Sequence, residues 1–254
     1  MSKSLLSLKG VKKSFGTKQV LNGIDIDVAP GKSLVVIGGS GTGKSVMLKC
    51  ALGLITPDEG EIRFDGNLID PKRSETQDRM LQRSGMLFQG GALFDSMSIW
   101  QNVAFRLTHN QKMDRKDARE KAIETLQKVR LTPDVADLYP AELSGGMQKR
   151  VSLARSIVSN PDLIFFDEPT TGLDPITADA INDLIVEQTK TLGAASVTIT
   201  HDMPSARKIA DEIAMIFDGK IIWRGPADTV DNSGNEYVDQ FVHGRAQGPI
   251  QPAM

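Results

Sequence analysis

The chemistry of this chain is most evident in a glycine-rich loop. Residues Gly38, Gly39, Ser40, Gly41, Thr42, Gly43, Lys44 and Ser45 form the pattern GxxxxGKS, directly after an apolar run at 34–37. Glycine backbone N–H groups can turn towards phosphates, and a helix that starts after the loop adds the positive end of its dipole. Lys44 can reach the β- and γ-phosphates, and the Ser45 hydroxyl can bind Mg²⁺. A chance match in a turn is the alternative, but the order of strand, loop and helix predicts a site for a nucleoside triphosphate.

Two adjacent carboxylates follow a second apolar run. Asp167 and Glu168 come after Leu163–Phe166, which predicts a buried strand, and open α/β sheets bind ligands at the carboxyl ends of their strands. We expect Asp167 to hold Mg²⁺, directly or through water, together with Ser45. Glu168 would polarise the attacking water as a general base, a role that contributes about 10²–10⁴ in rate. Alone, the pair could instead be solvated residues that cap a turn at Pro169.

A histidine and a serine-glycine segment accompany these groups. His201 follows the predicted strand 196–200, where its imidazole could contact the γ-phosphate or orient the water, although most single histidines are structural or merely exposed. Ser144 precedes a predicted helix and suits its N-cap, while Gly145 and Gly146 permit close approach of an anion. A plain helix cap is the alternative for this segment.

The composition excludes several classes of protein. The 254 residues are 40% hydrophobic, with 30 basic and 32 acidic side chains and a net charge of -2. This balance argues against a nucleic-acid partner bound through a broad basic face. The single cysteine, Cys50, excludes an internal disulfide framework, and its apolar neighbours indicate a buried thiol. No apolar run has the length of a membrane span and the N-terminus has no signal-peptide core, so we expect a cytosolic chain that reaches a membrane only through a partner.

Hydrophobic patterning predicts an α/β fold. Alternating residues at 24–28 and 61–64 indicate half-exposed strands of an antiparallel region, whereas the unbroken apolar run at 34–37 fits a parallel sheet covered on both faces. An apolar stripe over 114–131 predicts a helix. The sequence therefore predicts a parallel core combined with an antiparallel region and helices.

The ordered set of motifs resembles the ATP-binding cassette of ABC transporters. The set consists of the glycine loop, Gln89 after an apolar stretch, LSGG at 143–146, LIFFDE at 163–168, TGLD at 171–174 and a strand followed by His201. This resemblance covers nearly the whole chain. It implies a P-loop NTPase (RecA-like) fold, with a parallel sheet core, an antiparallel β subdomain and an α-helical insert at about 92–158. The cassette would comprise residues 1–242, followed by an extended tail of residues 243–254.

The resemblance also implies how the residues act. Two copies pair head to tail, and each ATP lies between the glycine loop of one chain and Ser144–Met147 of the other. Phe15 would stack on adenine, since a phenyl ring offers the π face of the more common tyrosine, although Phe15 could also be a core residue. Gln89 would contact Mg²⁺ and the water while linking the site to the helical insert. Asp174 would cross the dimer interface.

Two positions depart from the family pattern. Met147 stands where the signature usually has glutamine, and we expect a looser contact to the ribose or to the interface. Val46 stands where a hydroxyl residue commonly follows Ser45. Its backbone N–H remains available to the nucleotide, so we expect little effect there.

A narrower resemblance indicates a substrate class. The segment GMLFQGGALFDS at 85–96, Met147 and the QFVHG sequence at 240–244 are similar to the ATPase subunit of the Mla phospholipid transport system of Gram-negative bacteria. A related branch serves lipid uptake in mycobacteria and plastids. The resemblance implies an ATPase that energises phospholipid transport, bound peripherally at the cytoplasmic face of the inner membrane. Its partners would be a transmembrane permease and, further, an accessory cytoplasmic subunit and a lipid-binding component.

Other functions stay open. The chain could serve an importer of a small polar nutrient. A soluble cassette ATPase acting on nucleic acid or ribosomes usually has two cassettes or a coiled-coil insert and a basic surface, which this chain lacks. A regulatory module without hydrolysis would lack Glu168 or His201, and both are present.

Two segments are candidates for contacts with partners. Large apolar side chains crowd residues 93–100, where they either cover the helical insert or form a docking groove for a partner helix. The proline-containing tail is either a disordered end or a strap that clasps the neighbouring cassette or an accessory subunit.

Overall fold

The computed structural model of the protein describes residues 4–70 and 74–251, so residues 252–254 of the predicted tail lie outside the described range. The strands are β1 (Leu6–Phe15), β2 (Lys18–Val28), β3 (Ser33–Ile37), β4 (Glu59–Phe64), β5 (Asn67–Leu68), β6 (Ser84–Leu87), β7 (Leu163–Asp167), β8 (Ala195–Thr200), β9 (Glu212–Phe217) and β10 (Lys220–Pro226). The α-helices are α1 (Lys44–Ala51), α2 (Ser74–Gln82), α3 (Ile99–His109), α4 (Arg115–Lys128), α5 (Gly145–Ile157), α6 (Pro175–Leu192), α7 (Met203–Ile209) and α8 (Glu236–Val242). Short 3₁₀ helices lie at Pro133–Asp137, Pro140–Glu142 and Ala227–Asn232.

The chain divides into two compact units. The first contains the chain up to Met80 and from Val197 onward, and the second contains Leu81–Ser196. Strand β8 crosses the boundary, since its first two residues belong to the second unit and its last four to the first.

The first unit contains the predicted antiparallel region. Four strands pair in the order β2-β1-β4-β5, and Leu6 of β1 lies opposite Val28 on one side and Phe64 on the other. The apolar members of the alternating pattern, such as Ile24 and Ile62, are buried. One face of this sheet therefore supplies part of the core of the unit.

Strand β3 belongs to a different sheet of the first unit. It pairs in parallel with β9, with Val35 opposite Ile213, and β9 forms an antiparallel hairpin with β10. Residues 34–37 of β3 are all buried. This is the environment that an unbroken apolar run indicates, because a central parallel strand is covered on both faces.

The second unit combines the parallel pair β6 and β7 with helices α3 to α6. Leu87 lies opposite Phe166 in this pair. Helix α5 packs so closely on β6 that a Cβ atom added at Gly85 would lie 2.1 Å from the backbone oxygen of Ser156. Glycine is thus the residue that lets the helix approach this strand.

Helix boundaries follow capping residues that are visible in the sequence. The helix predicted over 114–131 spans Arg115–Lys128, and the carboxylate of Asp114 accepts a hydrogen bond of 2.8 Å from the backbone N–H of Lys116. The chain leaves the helix through Arg130, whose φ is 61°. A left-handed residue just after a helix is a common way to end it.

Cys50 is buried in α1, as predicted. Burial raises the pKa of its thiol to about 11, and the nearby Lys13 opposes that shift only in part. The thiol is therefore protonated at neutral pH and unreactive.

The described part of the tail folds back on α8. The side-chain amide of Gln240 donates to the backbone oxygens of Arg245 (3.1 Å) and Ile250 (2.9 Å), and its oxygen accepts from the N–H of Ile250 at 2.7 Å. Whether this segment clasps another chain stays a prediction.

None of the helices in residues 4–70 and 74–251 combines the length and the apolar composition that a bilayer crossing requires.

The contact between β6 and α5 predicts a stability effect. We expect Gly85→Ala to lower the free energy of unfolding by about 1–3 kcal/mol, because the new methyl group would overlap backbone atoms that cannot move independently. Chemical denaturation measures the change. Gly90→Ala is the matched control, since a Cβ atom there would have no neighbour within 4 Å. Equal stability of the two variants would contradict the prediction.

Candidate functional site

In the first unit, the glycine loop connects β3 to α1. Gly43 has a φ of 105°, and a Cβ atom there would lie 2.9 Å from the backbone oxygen of Val20. A Cβ atom at Gly38 would lie 2.5 Å from the backbone oxygen of Ile216. The loop therefore requires glycine for both its backbone conformation and its packing, and Gly43, as the N-cap of α1, has no side chain that could compete with a ligand there.

Lys44 folds over the loop that precedes it. Its ammonium donates to the backbone oxygens of Gly38 at 2.7 Å and Gly39 at 2.8 Å, and only 8% of the residue is exposed. The Thr42 hydroxyl also donates to the Gly39 oxygen, at 2.9 Å. A buried ammonium held in the centre of a glycine loop is suited to an anion with several oxygens, because charge-assisted hydrogen bonds are stronger than those to neutral carbonyls. Ser45 is exposed at the first turn of the helix.

Two further predicted residues lie in the first unit. Phe15 is at the end of β1 with 49% of its surface exposed, and the Lys13 ammonium lies 5.6 Å from the centre of its ring. The ring is a surface feature and not part of the core. His201 is exposed directly after β8, and Asp202 beside it caps α7 by accepting a hydrogen bond from the N–H of Ser205 at 2.9 Å.

In the second unit, β6 and β7 bring Gln89 and the carboxylates to one edge. Leu87 and Phe166 are opposite each other in parallel strands, so Gln89 and Glu168, each two residues further on, leave the sheet on the same side. Asp167 and Glu168 are both buried. Gln89 is exposed.

Glu168 has an unusual backbone for a residue with a side chain. Its φ is 49°, in the left-handed region, where non-glycine residues cost about 1–3 kcal/mol and cluster at functional sites. The Thr171 hydroxyl donates to Oε2 of Glu168 at 2.9 Å. A residue of the loop that follows β7 thus fixes the orientation of the Glu168 carboxylate.

The signature segment (residues 143–147) and the 171–174 loop also meet in this unit, since a Cβ atom added at Gly145 would lie 3.9 Å from the Leu173 side chain. Ser144 is the N-cap of α5, where its hydroxyl accepts a hydrogen bond of 3.3 Å from the N–H of Met147. A Cβ atom added at Gly146 would lie 2.9 Å from the Thr177 side chain at the start of α6. The N-termini of α5 and α6 are therefore in close contact.

Asp174 caps α6. Its carboxylate accepts hydrogen bonds from the N–H groups of Ile176 and Thr177, both at 3.0 Å. Hydrogen bonding from Thr177 is the main reason why the pKa of Asp174 lies below its usual value. The side chain is exposed and remains ionised at neutral pH.

Lys149 is a site residue that the sequence did not reveal. Its ammonium donates a hydrogen bond to the backbone oxygen of Gln89, and only 7% of the residue is exposed. Burial lowers the pKa of Lys149, whereas the carboxylates of Asp167 and Glu168 act to raise it. In the sequence, the only indication was that Lys149 falls on the same side of the predicted helix as its apolar residues. A charged side chain in a helix is usually solvated, so this position did not point to a buried lysine.

Comparison with known proteins identifies the family. The model of the ABC transporter family matches residues 21–171, which is more than half of the chain and includes the glycine loop, Gln89, the signature segment and the two carboxylates. The chain belongs to the ABC transporter family. It is an ATPase cassette that binds and hydrolyses ATP.

Two relatives align with nearly the entire cassette. The chain is 37% identical over 247 residues to the intermembrane phospholipid transport system ATP-binding protein MlaF of Escherichia coli K12, covering 97% of this chain and 91% of MlaF. It is also 37% identical over 245 residues to the probable ribonucleotide transport ATP-binding protein mkl of Mycobacterium leprae, covering 96% of this chain and 70% of that protein. Family membership is thus supported well beyond the motifs.

Solved structures confirm the fold prediction. The ATP-binding cassette MJ0796, solved as a dimer in a post-hydrolysis state with ADP and Pi, superimposes with a TM-score of 0.79 at 29% identity, covering 87% of this chain and 98% of the other. The cassette therefore has the predicted P-loop NTPase fold, with both parallel and antiparallel strands.

The geometry of the glycine loop leads to a prediction for nucleotide binding. We expect Lys44→Ala to weaken ATP binding by about 10- to 100-fold, because it removes a charged donor from the centre of the loop. Titration with a fluorescent ATP analogue measures the affinity. Lys49→Ala is the control, since Lys49 lies exposed on the same helix. Loss of affinity in both variants, or in neither, would contradict this assignment.

Proposed function

We propose that this cassette is the ATPase subunit of an ABC transporter that moves phospholipids between bacterial membranes. The observation that carries the proposal is the alignment with MlaF, which extends over 91% of that protein at 37% identity and includes the 85–96 segment. The mkl relative favours a second candidate, transport of a small polar solute such as a ribonucleotide, because it is equally similar in identity. The nutrient importer and the lipid transporter would share the same ATPase chemistry.

The chemistry of the donor groups supports Mg²⁺ as the metal. Ser45, Gln89 and Asp167 would bind it through hydroxyl, amide and carboxylate oxygens, which are the hard ligands that Mg²⁺ prefers. Among the described residues no group of three or more His, Cys, Asp or Glu side chains could hold a metal. One carboxylate suits Mg²⁺ bound together with substrate phosphates, and the ion would neutralise charge on those phosphates.

The nucleotide would be held mainly by the first unit. Backbone N–H groups of Gly38–Val46 and the Lys44 ammonium would bind the phosphates, and the exposed ring of Phe15 would stack on adenine. The closed arrangement of Lys44 over the loop supports this role, since the ammonium is already positioned where phosphate oxygens would replace carbonyl oxygens. His201 would contact the γ-phosphate from the loop after β8.

Hydrolysis would depend on Glu168. Its carboxylate is buried, oriented by Thr171 and held in a strained backbone conformation, which supports a function beyond capping a turn. Glu168 would accept the proton of the water that attacks the γ-phosphate, while Gln89 would orient that water.

A second copy of the chain would complete each site. Ser144, Gly145 and Asp174 are exposed in the single chain, and the neighbouring Ile176 is 84% exposed. So large an exposed aliphatic side chain beside a signature motif is suited to an interface. The proposal of a head-to-tail homodimer is further supported by the dimeric state of the MJ0796 cassette, with Ser144–Met147 of one copy covering the nucleotide of the other.

The 88–98 segment would bind the permease. Phe94 is 41% exposed and its ring lies 4.8 Å from that of Phe105, whereas Ile99 and Trp100 are buried. Asn102 fixes the segment, because its side chain accepts from the N–H of Phe94 and donates to three backbone oxygens within residues 94–98. A rigid loop with exposed aromatic rings fits an apolar helix of a partner. The cassette would then lie at the cytoplasmic face of the inner membrane, and an accessory subunit and a lipid-binding component would complete the system.

The catalytic proposal predicts a separation of binding from hydrolysis. We expect Glu168→Gln to retain ATP affinity but to lose about 10²–10⁴-fold in hydrolysis rate, because an amide cannot accept the proton of the water. The measurement uses the complex with its membrane partners, reconstituted into vesicles, and follows phosphate release together with transfer of labelled phospholipid. Glu120→Gln, at an exposed position in α4, is the control.

Two outcomes would contradict different parts of the proposal. Wild-type hydrolysis by the Glu168→Gln variant would exclude Glu168 as the base. ATP-dependent movement of a labelled ribonucleotide, with none of phospholipid, would favour the polar-solute transporter over the lipid transporter.

The docking proposal predicts uncoupling without unfolding. We expect Phe94→Asp to reduce co-purification of the cassette with its permease by at least about tenfold, because a carboxylate would have to be buried against an apolar helix. Phe94→Leu keeps an apolar side chain and should bind normally. Unchanged recovery of the permease with the aspartate variant, while thermal unfolding is also unchanged, would count against docking at this segment.

A further inference from the structure

Helix α5 carries three hydrogen-bond donors that all hold one short backbone segment. Lys149, Ser152 and Arg155 are spaced three residues apart, and side chains at such spacing lie along one side of a helix. Each donates to a backbone oxygen between Gln89 and Ala92. We call these three residues the donor face of α5.

The individual contacts leave little freedom to residues 89–92. The Arg155 guanidinium donates to the backbone oxygens of Gly91 and Ala92, both at 2.6 Å, and the Ser152 hydroxyl donates to Gly91 at 3.0 Å. The Lys149 ammonium holds the backbone oxygen of Gln89 itself. Since three side chains of α5 hold the backbone oxygens of Gln89, Gly91 and Ala92, this stretch cannot shift along α5 without breaking several hydrogen bonds together.

Packing reinforces these hydrogen bonds. The strand that precedes Gln89 touches α5 at Gly85, where even a methyl group would overlap the Ser156 backbone, and Gly91 lies 3.9 Å from Ser152 measured from its ideal Cβ position. The chain from Gly85 to Ala92 therefore follows α5 closely. Helix α5 begins at Gly145, directly after its N-cap Ser144, so one rigid element joins the segment of Gln89 to the signature segment.

A charged residue is a costly way to hold a backbone oxygen. Burying an ammonium is unfavourable unless it is well partnered, and Ser152 and Arg155 already fix the end of the stretch. Lys149 differs from them in its position, because it holds the backbone of Gln89 itself. Gln89 follows β6 at the sheet edge where Asp167 and Glu168 lie at the end of β7, and its side chain is the one proposed to orient the water. The location of Lys149 fits a role in the reaction more closely than a role in folding alone.

We propose that Lys149 is a positioning residue that sets the location of Gln89 relative to Glu168, and that the donor face of α5 couples this location to the signature segment. This inference rests on the proposed role of Gln89 in orienting the water. Lys149 acts through Gln89 and touches neither the nucleotide nor the water.

The experiment compares Lys149→Met, Lys149→Arg and Gln89→Ala in the full-length chain assembled with its membrane partners. We expect Lys149→Met to lower kcat by about 10- to 100-fold, the usual effect of removing a group that orients a metal ligand, with ATP affinity unchanged. Lys149→Arg, which keeps a charged donor, should recover most of the rate. Lys128→Met removes an exposed lysine from α4 and is the matched control, expected to have wild-type kcat.

A double mutant tests whether the two residues act together. If Lys149 acts through Gln89, the combined Lys149→Met and Gln89→Ala variant should be no slower than the slower single variant, because residues that act as one unit are not additive. Multiplied losses in the double mutant would overturn the inference. A wild-type kcat for Lys149→Met, or equal losses for the methionine and arginine variants, would also overturn it.

The Gln89 and Lys149 variants together distinguish a failure of this inference from a failure of the proposed function. If Gln89→Ala hydrolyses ATP at the wild-type rate, the role of Gln89 fails and the inference fails with it. If Gln89→Ala is slow and Lys149→Met is not, only the inference fails. Should Lys149→Met not fold, Ser152→Ala replaces it. That variant should lower kcat with unchanged ATP affinity, and an unchanged kcat would overturn the proposed coupling.

Discussion

The arrangement of this cassette depends on the complete burial of its parallel strands. Residues 34–37 and 163–166 have almost no exposed surface, so neither strand can present a functional side chain along its length. In these two strands the polar side chains stand only at the ends. For this reason the glycine loop follows β3 directly, and Asp167 and Glu168 occupy the last residue of β7 and the position after it.

Burial of charged groups at the strand ends costs electrostatic free energy. Asp167 and Glu168 are both nearly inaccessible to water, and two adjacent buried carboxylates would repel each other without a nearby positive charge. Lys149 of α5 contributes positive charge to this region, and the two carboxylates oppose only in part the lowering of its pKa that burial causes. Removing one charged side chain from such a cluster lowers the stability by more than the whole cluster contributes, because the remaining charge stays buried without its partner.

Glu168 and the 88–98 segment are fixed at different cost to the fold. The left-handed backbone of Glu168 costs free energy that a glycine would not, and the rest of the fold has to offset it. The 88–98 segment is fixed in a different way, since the completely buried Asn102 satisfies its backbone groups while the ring of Phe94 stays accessible. Rigid support beneath an exposed ring lowers the entropy lost when a partner binds.

The sequence by itself determined those features that depend on neighbouring residues along the chain. The glycine loop, the helix cap at Ser144 and the buried strands could be predicted, because each is a local backbone conformation with a recognisable composition. The family followed from the order of these motifs. Gln89 was found only through that resemblance, since a glutamine after a strand carries no signal of its own.

Only the tertiary structure decided which distant groups meet. Lys149 lies 60 positions from Gln89 in sequence, and Arg155 lies 64 from Gly91, so their contacts depend on how closely α5 packs on β6. The structure also separated exposed Phe94 from buried Trp100 within one apolar stretch. A core segment and a docking surface can both consist of large apolar side chains, so only the packing of the surrounding elements distinguishes them.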